Sequence, residues 1–169
     1  PADQADTSRN VGSVYADFSF NPTEPWLVEL AGRYENYSDF GDAFAGKLST
    51  IYQLTPSFAL RGAVSNSYRA PSLSQISYKA TGTNFGDGGV LRTILTLPVA
   101  DPIARSLGAQ DLDAEKSVNL SIGLTWQPID SLSLTLDAFQ IKVKDRITIS
   151  ERIGGQDLTD YIEQTFGIQ

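Results

Sequence analysis

Polar and apolar residues alternate along most of this chain, and the alternation has period two. Residues 11–20, VGSVYADFSF, put Val14, Ala16, Phe18 and Phe20 on one parity and Ser13, Tyr15, Asp17 and Ser19 on the other. Side chains of a strand point alternately to its two faces, so this is a strand with one apolar and one polar side. Residues 26–36 repeat it, with Trp26, Val28, Leu30 and Tyr34 against Glu29, Arg33 and Glu35. The pattern continues through 43–53 (Phe44, Leu48, Tyr52), 57–69 (Phe58, Leu60, Val64, Tyr68) and 117–127 (Val118, Leu120, Ile122, Leu124, Trp126). A last stretch, 131–149, carries Leu132, Leu134 and Leu136 on the apolar parity. It then breaks near Phe139, where Ile141 and Val143 fall on the polar one. A bulge or a change of surroundings is expected there. The alternation predicts an all-β chain, an antiparallel up-and-down meander of about six strands.

The connections alternate in length. NPTEP (21–25), LTP (54–56) and PID (128–130) are short and contain proline, whereas YSDFGD is longer and 70–116 is very long. Tight turns at one edge and long loops at the other describe an outer-membrane barrel, with 70–116 as a long extracellular loop and 150–169 as a C-terminal loop. Phe20, Trp26, Tyr52, Phe58 and Trp126 all flank the short turns on the apolar parity. A membrane girdle explains that placement, since aromatic residues gather at the lipid–water interface. From Trp26 to Tyr34 the chain rises eight steps of about 3.3 Å, which at a tilt of roughly 40° covers about 20 Å of membrane. The alternative is a soluble β-sheet module that recognises carbohydrate or mediates adhesion through its loops, with the apolar parity as its core.

Composition narrows the chemistry. The chain has 169 residues, no Cys, no His and a net charge of −7. That excludes a disulfide framework, a thiol nucleophile, a Ser-His-Asp triad and a thiolate or imidazole metal site. No cofactor is implied. Basic residues are scattered, so no face is equipped to neutralise nucleic-acid phosphates. No apolar run is long enough for a membrane helix, which leaves strands as the means of crossing.

With the strands placed, three segments acquire a further meaning. LRGAVSNSYRAPSLSQ ends a strand in aromatic-Arg-Ala-Pro, LAGRYENYSDFGDAFAGKLSTIYQL precedes it, and LDAEKSVNLSIGLTWQPIDSLSLTLDAFQIKVKDRITIS follows the long loop. In this order they resemble the barrel of TonB-dependent outer-membrane receptors, over about residues 10–153. The resemblance implies a piece of a much larger barrel, of about 22 strands around a plug. The chain itself carries about six strands and no plug domain. It implies residence in the outer membrane of a Gram-negative bacterium, contact with lipid, and coupling to TonB through the absent plug. It also implies uptake of a scarce nutrient: a ferric siderophore or other iron complex, cobalamin, or an oligosaccharide.

Candidate sites follow from these placements. The carboxylates Asp17, Glu29 and Asp137 share the polar parity with Arg33, Lys47 and Arg61, and a hydrated lumen explains them without catalysis. No catalytic residue and no enzyme activity is expected. NFGDGGV (84–90) lacks the strand-to-helix context and the Lys-Ser/Thr of a phosphate loop and reads as a loop tip. Long loops carry ligand contacts, and Tyr78, Phe85 and Asp87 are the candidates within 70–116. Arg69 and Glu115 share the polar parity at the two feet of that loop, so they are expected side by side as a clamp. Pro71 stops the ladder there, because it cannot donate and it biases Ala70 to extended geometry.

Overall fold

The structure, a computed structural model, describes residues 7–85 and 91–167. In chain order its elements are β1 (Val11–Thr23), β2 (Trp26–Tyr37), β3 (Gly41–Thr55), β4 (Phe58–Arg69), α1 (Leu73–Ser77) and β5 (Ala80–Phe85). Then come β6 (Leu91–Thr96), α2 (Pro102–Ser106), β7 (Glu115–Ile129), β8 (Leu132–Lys144) and α3 (Gln156–Phe166). The chain divides into two compact units: Arg9–Ala70 with Ala114–Arg146, and Pro71–Asp113 with Pro1–Ser8 and Ile147–Gln169.

The first unit is a six-stranded antiparallel sheet in the order β1-β2-β3-β4-β7-β8. The six long strands predicted by alternation are therefore neighbours in sequence order. Register keeps parity throughout: Phe18 faces Leu30, Leu30 faces Leu48, Leu48 faces Val64 and Val64 faces Leu120. Because direct partners share a face, even-numbered residues line one face and odd-numbered ones the other along the ladder between the register shifts beside the short turns and the open end. A slip of one residue at any pair would mix the two.

Each short connection is tighter than the composition suggests. Thr23 pairs with Trp26, Thr55 with Phe58 and Ile129 with Leu132, so the strands run into the stretches expected as turns. Pro22 and Pro128 fall within the register shifts Phe20/Thr23 and Trp126/Ile129. A residue with no N–H is tolerated where the ladder is already interrupted. At Phe139 there is no bulge: β7–β8 pairing runs unbroken from Lys116↔Lys144 to Trp126↔Leu134. The polarity change in β8 is thus a change of surroundings. Phe139, Ile141 and Val143 stand exposed on the odd face.

Gly32 and Gly46 face each other on the even side, and an added Cβ on either would meet the Phe44 ring, at 3.8 and 3.2 Å. The ring covers the backbone that two missing side chains leave bare, a known way of stabilising glycine in sheets.

In the second unit, the stretches expected as plain loop contain structure. Ser72 and Gln75 form a reciprocal capping box on α1, and Asp101 caps α2 with Pro102 in its first turn. β5 and β6 form a separate hairpin. α3 occupies much of 150–169 and ends at Gly167, whose φ of 66° suits a residue without Cβ. α1 and α2 were hidden because a five-residue helix has too few turns to show a period.

Candidate functional site

The odd face of the sheet is the candidate. Its middle is a depression of about 370 Å³ lined by Tyr15, Asp17, Arg33, Lys47, Ser65 and Ser67 among others. Each comes from an odd position on β1, β2, β3 or β4, so period two alone assembles the wall from four separate strands. Glu29 accepts a hydrogen bond from Ser49 Oγ at 2.8 Å.

Nearer the short turns an ion pair crosses a whole strand. Arg61 on β4 faces Gly123 on β7, which faces Asp137 on β8. Arg61 Nη2 donates to Asp137 Oδ1 and Oδ2 at 2.7 and 2.6 Å, and its Nε to Oδ1 at 3.0 Å. A Cβ on Gly123 would stand 2.1 Å from Asp137 Oδ1 and 2.8 Å from Arg61 Nε. Glycine is required because the bridge lies directly over its backbone. It explains two of the charged odd positions as partners of each other.

At the opposite end the ladder opens. β3–β4 register stops at Gly46↔Asn66. There the Asn66 side chain stands in for backbone partners, accepting from Gly46 N at 2.9 Å and donating to Phe44 O at 2.7 Å. Beyond it Tyr68, expected on the apolar side, donates from its hydroxyl to Glu35 Oε2 of β2 at 2.5 Å. Tyr37 donates to the same oxygen and Arg33 pairs with the other. Glu35 is only 6% exposed, the one buried charged residue among those described. Beside it, Arg9 binds Asp39 through two nitrogens, at 2.9 and 2.6 Å, with its guanidinium over the Tyr37 and Phe40 rings.

Arg69 and Glu115 are register partners. Arg69 Nε reaches Glu115 Oε2 at 2.9 Å and Nη2 reaches Oε1 at 2.6 Å, so the planar guanidinium meets the carboxylate two-pronged. Next to them the Ser67 and Ser117 hydroxyls bond at 2.6 Å. The pair joins strand ends that are 46 residues apart in sequence.

The structure thus brings Arg69 and Glu115 together. It does not gather the other candidates. Tyr78 follows α1 and Phe85 ends β5, both exposed, while Asp87 lies outside the described residues. Phe20, Trp26, Tyr52, Phe58 and Trp126 all lie on the even face at the short-turn end. Trp26 and Tyr52 meet edge to face at 6.4 Å, and Phe58 is the partner of Trp126. Sequence reasoning missed the Glu35 cluster as a cluster. Arg33, Glu35 and Tyr37 at alternate positions gave a signal that they share a face, but nothing local places Tyr68 above them.

Comparison with known proteins agrees with this geometry. The family model for the TonB-dependent receptor-like β-barrel matches residues 1–167. The iron-regulated outer membrane virulence protein of Vibrio cholerae is 26% identical over 125 residues, 74% of this chain and 17% of that protein. PirA, a siderophore receptor of Acinetobacter baumannii, is 26% identical over 155 residues, 90% of this chain and 19% of that protein. Its crystal structure superposes with a TM-score of 0.64 at 24% identity, covering 82% of this chain and 18% of that one. A ferric enterobactin receptor variant of Pseudomonas aeruginosa, solved with enterobactin, gives 0.65 at 21% identity, over 80% of this chain and 18% of that one. The chain therefore spans less than a fifth of the length of these curated relatives.

Proposed function

This chain belongs to the TonB-dependent receptor β-barrel family, and from that premise we propose that it forms part of the wall of an outer-membrane receptor that imports a ferric siderophore. The observation that carries the reading is the row Phe18, Leu30, Leu48, Val64 and Leu120. All five are exposed on the even face of a single-layer sheet whose odd face is largely polar outside the upper part of β8. Such a row suits hydrocarbon on one side, and the charged odd face suits a hydrated lumen on the other. A soluble carbohydrate-binding module would have to cover that row with a second layer, since each large side chain left in water forgoes about 1.5–3 kcal/mol.

By their names PirA is a siderophore receptor, the Pseudomonas aeruginosa protein a ferric enterobactin receptor and the Vibrio cholerae protein iron-regulated. That supports iron chelates over cobalamin or an oligosaccharide as cargo, and transport over enzymatic turnover. TonB engages the receptor through a segment outside this chain, and the exposed Tyr78 and Phe85 are the ligand contacts. Arg69 and Glu115 hold the two feet of the 70–116 excursion.

Uptake of radioiron as the siderophore complex tests the cargo. A siderophore-receptor-deficient host should regain uptake when given the intact protein carrying this chain, and a TonB-deficient host should not. Uptake of labelled cobalamin alone, or equal iron uptake without TonB, overturns the assignment. Quenching by lipids brominated at known depths should place Trp26 and Trp126 at one interface. Either indole at the bilayer centre would defeat the lipid-facing register.

A further inference from the structure

Three of the chain's five lysines, Lys116, Lys142 and Lys144, meet on one patch of the sheet. Lys116 is the direct partner of Lys144, and Val118 of Lys142. All three are even-numbered and exposed, on the same face as Val118, Leu120, Ile122, Leu134 and Leu136. Like charges directly opposite one another weaken a sheet. Among the described residues, none of the three lysine side chains makes an ion pair or hydrogen bond. Glu115, adjacent in sequence, points to the other face and is engaged by Arg69. Asp145 follows Lys144 beyond the strand end and pairs with neither lysine. The repulsion is therefore not relieved from within the described chain.

Height on the sheet says what relieves it. Lys116 lies ten residues from Trp126 on β7, and Lys144 ten from Leu134, the partner of Trp126, on β8. Ten steps of about 3.3 Å at a tilt of roughly 40° rise about 25 Å, the height of the apolar band of an outer-membrane barrel. If Trp126 marks one interface, the three ammonium groups stand at the other, with their stems lying down over the uppermost apolar row. The same level on β2 and β3 is held differently: Asn36 donates to Asp42 at 2.5 Å there. Positive charge at that level of the even face is thus confined to β7 and β8.

We propose that Lys116, Lys142 and Lys144 form a binding site for the anionic, phosphate-bearing headgroup of a membrane lipid, on the outer wall and separate from the lumen. The proposal rests on the outer-membrane reading above. One headgroup phosphate between the directly opposed Lys116 and Lys144 turns the repulsive pair into a bridge, and Lys142 adds a third donor from the same strand as Lys144.

Native mass spectrometry of the intact protein in a neutral detergent tests it, with phosphatidylglycerol and phosphatidylcholine of identical acyl chains as probes. Retained phosphatidylglycerol should exceed phosphatidylcholine by about tenfold, and the preference should shrink as salt is raised. Changing Lys116→Gln, Lys142→Gln and Lys144→Gln together should bring the ratio close to one. The matching triple change to arginine should preserve it, and inorganic phosphate should not displace the lipid. A glutamine variant that keeps the wild-type preference overturns the site, as does displacement by inorganic phosphate, which would mean a free-anion site. Fractionation separates the two levels of failure: a protein found in the outer membrane with no headgroup preference sinks only this inference. A protein absent from the outer membrane sinks the receptor assignment as well.

Discussion

The two ends of the six-stranded sheet are held together by different means. At the short-turn end, neighbouring strands are joined through two intervening residues, as between Thr23 and Trp26 or Thr55 and Phe58. Backbone bonds link adjacent hairpins there, Gln53 N to Pro25 O at 2.7 Å and Gln127 N to Ser57 O at 2.8 Å. At the open end only β2 and β3 have a short connection, between Tyr37 and Gly41; β4 and β7 are consecutive in the sheet, yet Arg69 and Glu115 are 46 residues apart. Side chains take over. Asn66 replaces ladder bonds, Glu35 gathers donors from β2 and β4, and Arg69 grips Glu115. Where connectivity is short, loop closure holds the strands in register at little entropic cost, and where it is long, polar networks must do so. The contrast explains why ionisable residues concentrate at the open end.

The largest expected effect comes from removing the centre of the open-end network. Glu35→Ala leaves the Tyr37 and Tyr68 hydroxyls and Arg33 without their shared acceptor. Loss of about 1–3 kcal/mol is expected from groups stranded in a buried setting. Urea unfolding of the intact barrel should show it, together with faster amide exchange in residues 66–69 but not near the short turns. Uniform exchange along β4 would erase the distinction between the ends.

Next comes Gly123→Ala, which strikes the sheet nearer the short turns. The new Cβ cannot coexist with the Arg61–Asp137 bridge at its observed position. About 1–3 kcal/mol of overpacking strain should appear in wild type. Much of it should vanish in an Asp137→Ala background, because the obstructing oxygen is gone. A penalty unchanged by Asp137→Ala would place the strain in the backbone instead.

Asn66→Ala should cost about 1 kcal/mol, the ordinary worth of the two hydrogen bonds it would lose net of water. It should also let the β3–β4 opening spread downward, seen as raised exchange at Gly46 and Leu48. Unchanged protection at those amides would show that the ladder ends there for another reason.

The smallest effect on overall stability is expected from the Arg69–Glu115 pair, whose arginine side chain is 55% exposed, because water and salt screen such pairs. Arg69→Glu and Glu115→Arg should each raise proteolytic cleavage within 70–116, and the double swap should restore resistance. A swap that restores nothing would separate the observed contact from any clamping role.

Much of the sheet could be read from period two, and the reason is geometric. Alternation assigns each strand its faces without reference to any other strand, so Phe18, Leu30 and Leu48 declare themselves apolar-facing one strand at a time. Register shifts beside the short turns set like parity against like from strand to strand, and Arg69 and Glu115 each carry the odd, polar parity of their own strand, which is why they could be paired across a long excursion. Short capped helices at Leu73–Ser77 and Pro102–Ser106 escaped, because their caps are single local bonds and not a periodic signal.

The amino-acid sequence by itself determined the strands, their two faces and their antiparallel order, since each depends on neighbours along the chain or one turn away. Arg69 and Glu115 apart, only the tertiary structure decided which odd-face charges are partners. Arg61 reaches past β7 to Asp137 because position 123 is glycine, and Tyr68 reaches Glu35 because β3 has parted from β4 at Asn66. Both contacts span two strands, and a side chain's reach across a sheet depends on what the intervening strand leaves empty, a property no single strand carries in its own pattern.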